Sequence, residues 1–439
     1  MRVLLLCLLV LALPARAQDL VQVYRDAKGY DAVYAAARHA LQAGLEKLPQ
    51  GRALILPTLN LSGNMTSTRI ETEPHNTSIA DRSLRDARSF GYSLSFSQPV
   101  FRAQNYYQYG QAEHQVKQAE AVFAQAAQDL IVRVAQAYFD VLAAQDTLAL
   151  LQAQKTAIGE QLAQAKRNFE VGTATITDTH EAQARFDLSS AQEIAAQNDL
   201  ETKRRTLQQI TGKEYSAIKP LRSEVRLTPP NPTSMESWVA LAEKQGYPVL
   251  IQEATTEIAQ LEAKRQKAGH YPTLDFVATY GTTSQTASQF SAVPANVTSG
   301  VVGLQLGLPL YQGGAISSRE REAAALYDKS KQDLENSRRS QALTARQTYL
   351  AVTNGIAQVG ALEQALVSSQ SALESNKLGY EVGVRINIDV LNAQQQLFST
   401  RRDLAVARYN TITSHLRLKA AAGSLRDEDL DEVNRALQP

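Results

Sequence analysis

Cysteine is almost missing from this 439-residue chain: the single one, Cys7, lies inside the N-terminal apolar run Val3 to Leu13. That run follows Arg2 and leads to Ala15-Arg16-Ala17, so the pattern predicts a secretory signal over residues 1–17, removed after Ala17. Cys7 is too far from that cleavage site to become a lipidated first residue. The mature chain then has neither thiol chemistry nor disulfides, which suits an oxidising compartment. Beyond the signal no run of 18 apolar residues occurs, so no transmembrane helix is available, and a membrane-embedded form would have to be a closed barrel. Charge of one sign is lacking too: 45 Lys and Arg face 44 Asp and Glu, and loss of Arg2 and Arg16 leaves 43 against 44, so no basic field for nucleic acid exists. The six histidines (His39, His75, His114, His180, His270, His415) show no ligand spacing and read as surface residues. Gly212-Lys213 lacks a phosphate loop, Gly303 and Gly307 fall in a strand pattern, and no Ser, His and Asp set is marked by its context. The expectation is a protein without enzymatic activity, metal or cofactor.

What the chain does have is one unit written twice. FEVGTATITD, from Phe169 to Asp178, returns as YEVGVRINID from Tyr380 to Asp389, an offset of 211 residues that also relates Tyr138 to Tyr349, Ala182 to Ala393 and Gly212 to Gly423. Earlier the offset drifts to 210 at Pro99 and Pro309, to 215 at Pro57 and Pro272, and to 217 at Gly29-Tyr30 and Gly246-Tyr247. The mature chain therefore divides into a first repeat over 18–212, a Pro-rich connector over 213–235, a second repeat over 236–423 and a polar tail over 424–439.

Each repeat starts with helical spacing, about 19–50 and 234–268, and then a Pro introduces strands. Leu59, Leu61 and Met65 alternate with Asn60, Ser62 and Asn64, and Tyr92, Leu94 and Phe96 alternate with Ser93, Ser95 and Ser97. The second repeat does the same with Leu274, Phe276, Ala278 and Tyr280, then with Val302, Leu304, Leu306 and Leu308. Polar loops, roughly Ser67 to Arg88 and Ser284 to Ser299, join the strands of each pair. Four such strands fit a soluble sandwich with one wet face or a share of a membrane barrel. They cannot close a barrel alone, since the smallest need about eight, so a barrel implies an oligomer.

After Pro99 and Pro309, helices from near Gln104 and Ala315 run about 65 residues, or about 100 Å at 1.5 Å per residue. Val116, Ala119, Phe123, Ala126, Leu130, Ala137, Val141, Ala144, Leu148, Leu151, Ile158, Leu162, Ala165 and Phe169 form a heptad-like seam broken by Arg133 and Lys155. The second seam, through Leu334, Ala345, Val352, Val359, Leu362, Leu366, Leu373 and Tyr380, is more polar. Gly172 and Gly383 allow each long helix to end and the chain to reverse. Thr177 with Asp178, and Asn387 with Asp389, offer oxygens to cap the returning helices, which are about half as long. The leading helices have the length to cover the rest.

At FEVGTATITD and YEVGVRINIDVLNAQQQL, with the two-repeat layout and the two Pro-terminated strand pairs, the chain resembles the TolC family of outer-membrane channel-tunnels over essentially its whole mature length. The resemblance implies an α+β membrane protein: a homotrimer with a twelve-stranded barrel in the outer-membrane lipid and a helical tunnel across the periplasm. It implies a passive exit duct for efflux or type I secretion, joined at the hairpin tips by a periplasmic adaptor and an inner-membrane pump or ABC transporter. The docking residues would be Val171, Gly172 and Thr173 with Val382, Gly383 and Val384. The second tip would form the gate, where three copies of Asp389 make an acidic ring that holds cations. The family's second acidic position is Asn392 here, which leaves one carboxylate ring. Arg385 and Tyr380 would hold the gate shut by reaching Thr177 and Asp178 of the first tip. A non-conducting periplasmic adaptor or structural fibre is the competing reading, though neither needs four amphipathic strands.

Overall fold

The computed structural model describes residues 18–72, 83–173, 175–222, 225, 227–286 and 293–438. The expected signal, the middle of both strand-joining loops and His75 lie outside the described residues. The chain forms two compact units, one comprising residues 41–120 and 251–335 and the other the remainder, and both long helices contribute to each.

The smaller unit is built on one antiparallel sheet of β1 (Thr58–Thr72), β2 (Ser83–Phe101), β3 (Thr273–Gln285) and β4 (Ala295–Gly307), in that order. Each repeat supplies one hairpin, and the two meet where β2 pairs with β3. Leu59 lies opposite Phe96, which faces Ala278, which faces Val302. The next apolar row is Leu61, Leu94 and Tyr280. Phe96 and Phe276 meet edge-on at 6.0 Å. The opposite face carries Ser62 against Ser93, whose hydroxyls are 2.8 Å apart, and Asn60 against Ser95. Strands reach further into the loops than the loop bounds drawn from sequence, to Thr72 and from Ser83 and Ala295. Nor does Pro99 end its strand. β2 continues to Phe101, with a register irregularity between Pro99 and Phe101 because proline has no N–H for the ladder.

The same unit anchors the start of α4 (Ala103–Glu170). Arg102 donates to both carboxylate oxygens of buried Asp275 at 2.8 and 2.6 Å. Along α4, Gln111 donates at 2.9 Å to Glu262 of α7 (Tyr247–Lys267), and Gln118 donates at 2.8 Å to Thr255. A Cβ at Gly51, in α3 (Lys47–Ala53), would lie 2.6 Å from that of Ala112, so α3 approaches α4 more closely than any other residue would permit. These leading helices thus cover the first turns of α4.

The larger unit holds α1 (Leu20–Tyr30), most of α2 (Ala32–Leu45) and the rest of α4. It also holds α5 (Ile176–Thr211), α6 (Met235–Gln245), most of α8 (Ala315–Glu381), α9 (Asn387–Ala421) and α10 (Asp427–Arg435). Its main core gathers Leu20, Val23, Leu130, Val134, Tyr138, Phe139, Leu142, Leu207 and Leu416. The seam positions Leu130, Ala137, Val141, Ala144, Ile158, Leu162 and Ala165 are buried, while Phe169 at its end is exposed. Both breaks in the seam are paired: Arg133 donates to the two oxygens of Asp31 at 3.0 Å each, and Lys155 meets Glu193 at 2.9 Å. Burial works against the Asp31 charge, but Arg133 and the Tyr34 amide hold its carboxyl below the usual range. The polar tail is held down because Leu430 of its helix and the flanking Leu425 and Leu437, before and after that helix, all enter the main core. His415 departs from the surface reading: it is half-buried, and burial pushes its pKa down.

Candidate functional site: the two hairpin tips

Both tips are made by one local rule. At the end of α4, Thr173 N donates to Asn168 O at 2.8 Å and Gly172 N to Phe169 O at 3.0 Å, with Gly172 at φ +79. At the end of α8, Val384 N donates to Gly379 O at 2.8 Å and Gly383 N to Tyr380 O at 3.1 Å, with Gly383 at φ +77. A Cβ would meet nothing at either glycine, so only the left-handed backbone demands it.

The restarts differ from the caps expected above. In the first tip the N-cap is Thr175, whose Oγ1 accepts from Asp178 N at 3.3 Å while Asp178 Oδ2 accepts from Thr175 N at 3.0 Å, a capping box. Thr177 is exposed and plays no part in it. In the second tip the N-cap is Ile386, which has no side-chain oxygen, so neither Asn387 nor Asp389 caps the helix. Asn387 is buried instead, at 2% exposure, and neither atom of its amide has a hydrogen-bond partner.

Tyr380 Oη accepts from Asn168 Nδ2 of the first tip at 3.2 Å. Arg385, exposed in the turn that precedes α9, lies 3.7 Å from half-buried Asp389 in the first turn of that helix. Asp389, Asn392 and Gln396 follow one another on one stripe of α9 and line an open groove with Ser369 and Ala372 of α8. Asn392 also accepts from Arg185 of α5 at 3.0 Å, and Gln395 accepts from the same guanidinium at 2.6 Å. Beneath these polar contacts, Leu391 packs on Ile158, Leu162, Ala165 and Ala182 of the first hairpin, while Val390 packs on Leu373 of α8. Leu391 is flanked on its face by Asn387 and by Gln394, whose buried Oε1 is also unpartnered. Near the tips the two hairpins of one chain therefore meet through a narrow apolar contact. Val171, Val382, Val384 and Ile386 leave an aliphatic surface exposed at the tips.

Sequence reasoning missed Thr175, Asn168 and Arg185. The S/T-x-x-D spacing could have found the first; the other two partners come from different helices and carry no local signal.

A four-stranded sheet with one apolar face, joined to two long helical hairpins, is the build of an outer-membrane channel protein. The sequence matches the family model described as "Outer membrane efflux protein" over residues 24–213 and 249–424. It is 34% identical over 425 residues to outer membrane protein TolC of Vibrio cholerae, covering 96% of this chain and 94% of that one. It is 31% identical over 428 residues to the alkaline protease secretion protein AprF of Pseudomonas aeruginosa, covering 97% and 89%. Its fold superposes on the outer membrane protein VceC of Vibrio cholerae with a TM-score of 0.78, at 18% identity and over 93% and 98% of the two chains. The chain belongs to the outer membrane efflux protein family, whose members reside in the outer membrane of Gram-negative bacteria.

Proposed function

We propose that three copies of this chain form one passive exit duct, with twelve strands in a common barrel and the hairpin tips as the gated periplasmic end. The observation that carries the reading is the open sheet. β1 and β4 each have one unpaired edge, and the apolar side chains Leu61, Met65, Val302, Leu304 and Leu306 are 67 to 78% exposed. In hydrocarbon every unpaired backbone group costs several kcal/mol, so the edges must be joined by further copies. Three copies of Asp389 then form the acidic ring, with Arg385 and Tyr380 holding the tip through Thr177 and Asp178 as well as Asn168. An exposed pair contributes only about 0 to 1 kcal/mol, and each unpartnered buried amide removes about 1 to 3 kcal/mol. Such a closure yields to a docked partner.

The aliphatic surface of Val171, Val382 and Val384 supports docking of a periplasmic adaptor there, beside an inner-membrane pump or ABC transporter. In this reading the mature chain is two repeats, over 18–212 and 236–423, joined by a connector over 213–235 and followed by a tail over 424–439. A protease-secretion relative of nearly full length supports protein export as a duty beside efflux. Two measurements test the reading together: the protein mass of the detergent-solubilised particle, expected at three chains, and single-channel conductance in planar bilayers. A monomer, or a trimer without conductance, refutes it.

A further inference from the structure

Asn392 stands where the resemblance leads one to expect a second carboxylate, and what faces it is a cation. Arg185 reaches from α5 of the first repeat to α9 of the second, donating through Nη2 to Asn392 Oδ1 at 3.0 Å and through Nη1 to Gln395 Oε1 at 2.6 Å. We infer that Arg185 is a specificity-determining residue of the tip: it ties the two hairpins together and sets a positive charge one helical turn from Asp389.

Both acceptors are neutral amides. They orient the guanidinium fork without neutralising it, whereas a carboxylate at position 392 would cancel its charge. Asp389 meanwhile already has Arg385 at 3.7 Å. Among these three side chains the formal charge is +1 per chain, so the single acidic ring is opposed by a cationic one. Two further observations make the tie matter. It makes the only polar surface contact between α5 and α9 among the described residues, and it lies beside the contact where Leu391, with Ile388 packed next to it, sits between the unpartnered amides of Asn387 and Gln394. Arg185 belongs to neither tip motif and marks no helix cap; its role rests on its two partners.

The inference deepens the duct reading and rests on it, so the test carries a control for each. Reversal potentials in a potassium chloride gradient and single-channel conductance are measured for the assembled parent and its variants. Arg185→Gln is expected to raise the cation-to-anion permeability ratio about 3- to 10-fold, as three like charges leave the passage, and to raise conductance. Arg185→Lys keeps the charge but cannot span two amides, so selectivity stays while conductance rises. Asn392→Asp is expected to leave selectivity within about 2-fold of the parent, because Arg185 neutralises the new carboxylate. The same change in an Arg185→Gln background shifts it strongly toward cations. Equal shifts from Asn392→Asp in both backgrounds, or no shift from Arg185→Gln while Asp389→Asn lowers cation preference, overturn the inference alone. If Asp389→Asn is also without effect, the tip is not the constriction and the gate reading falls with it.

Discussion

Leu61→Arg, set against Ser62→Arg, asks whether the two faces of the sheet meet lipid and lumen. The positions are neighbours in β1 and point to opposite faces. Leu61 is 76% exposed and sits in a row with Leu94 and Tyr280, so an arginine there displaces little packing within the chain. In a lipid-facing barrel position the charge costs up to about 2 to 4 kcal/mol near mid-bilayer. Repeated in three chains of one barrel this becomes about 6 to 12 kcal/mol, comparable with the whole stability of a domain. Ser62 faces Ser93, with 2.8 Å between the hydroxyls, and losing that contact removes about 0.5 to 1.5 kcal/mol while the guanidinium stays in water. The assay is the yield and melting temperature of the oligomer extracted from outer-membrane fractions. Leu61→Arg is expected to abolish or strongly lower the assembled form and Ser62→Arg to leave most of it. Similar behaviour of the two variants would refute the assignment of faces.

Arg385→Ser removes the side chain that lies 3.7 Å from Asp389 and that we assign to the latch, and the expected outcome is higher single-channel conductance than the parent. Tyr409→Phe deletes the hydroxyl that donates to Asp146 at 2.6 Å while keeping the ring stacked on Phe139. Burial raises the Asp146 pKa and the Tyr409 bond opposes that rise. Without the bond the folded pKa rises further, so destabilisation of about 1 to 3 kcal/mol is expected at neutral pH. It should fade as pH falls through the raised folded pKa of Asp146 toward the ordinary carboxylate value, which thermal melts at pH 7 and pH 4 will read. Glu262 is held down to about 2 by its hydrogen bonds to Arg265, against burial, with Gln266 and Gln111 adding to the effect. A depressed carboxyl stabilises above its unfolded value, so Glu262→Gln should lower the melting temperature at pH 6. The difference from the parent should shrink as pH falls from 4.5 toward 2.

Much of the architecture is legible in the chain because its causes are local or periodic. Alternation of apolar and polar residues set out four strands, and the structure pairs them so that Leu59, Phe96, Ala278 and Val302 share a face. The prolines before them and the hairpin repeats after them marked the long helices to within a residue or two of their ends, and the doubled hairpin glycines marked both reversals, since a positive φ is a property of one residue. Arg133 and Lys155 looked like faults in the seam because Asp31 and Glu193, which pair with them, lie far away in sequence or on another helix.

The same limit governs the tips. Sequence placed Asp389, Asn392, Arg385 and Tyr380 on the second hairpin but assigned the helix caps to Thr177, Asn387 and Asp389 with Asp178. Thr175 takes the first cap with Asp178, and a buried Asn387 leaves the second without a side-chain oxygen. The tail looked like polar excess until Leu430 of its helix, with Leu425 before it and Leu437 after it, entered the core. By itself, then, the sequence determined the element types, the turns and the alternation of apolar and polar faces, all of which follow from neighbours within a few residues, and the doubled layout, which follows from the chain's likeness to itself. Only the tertiary structure decided which side chains from separate helices meet, Arg185 with Asn392 and Asn168 with Tyr380, because those contacts depend on how whole helices pack and leave no periodic trace.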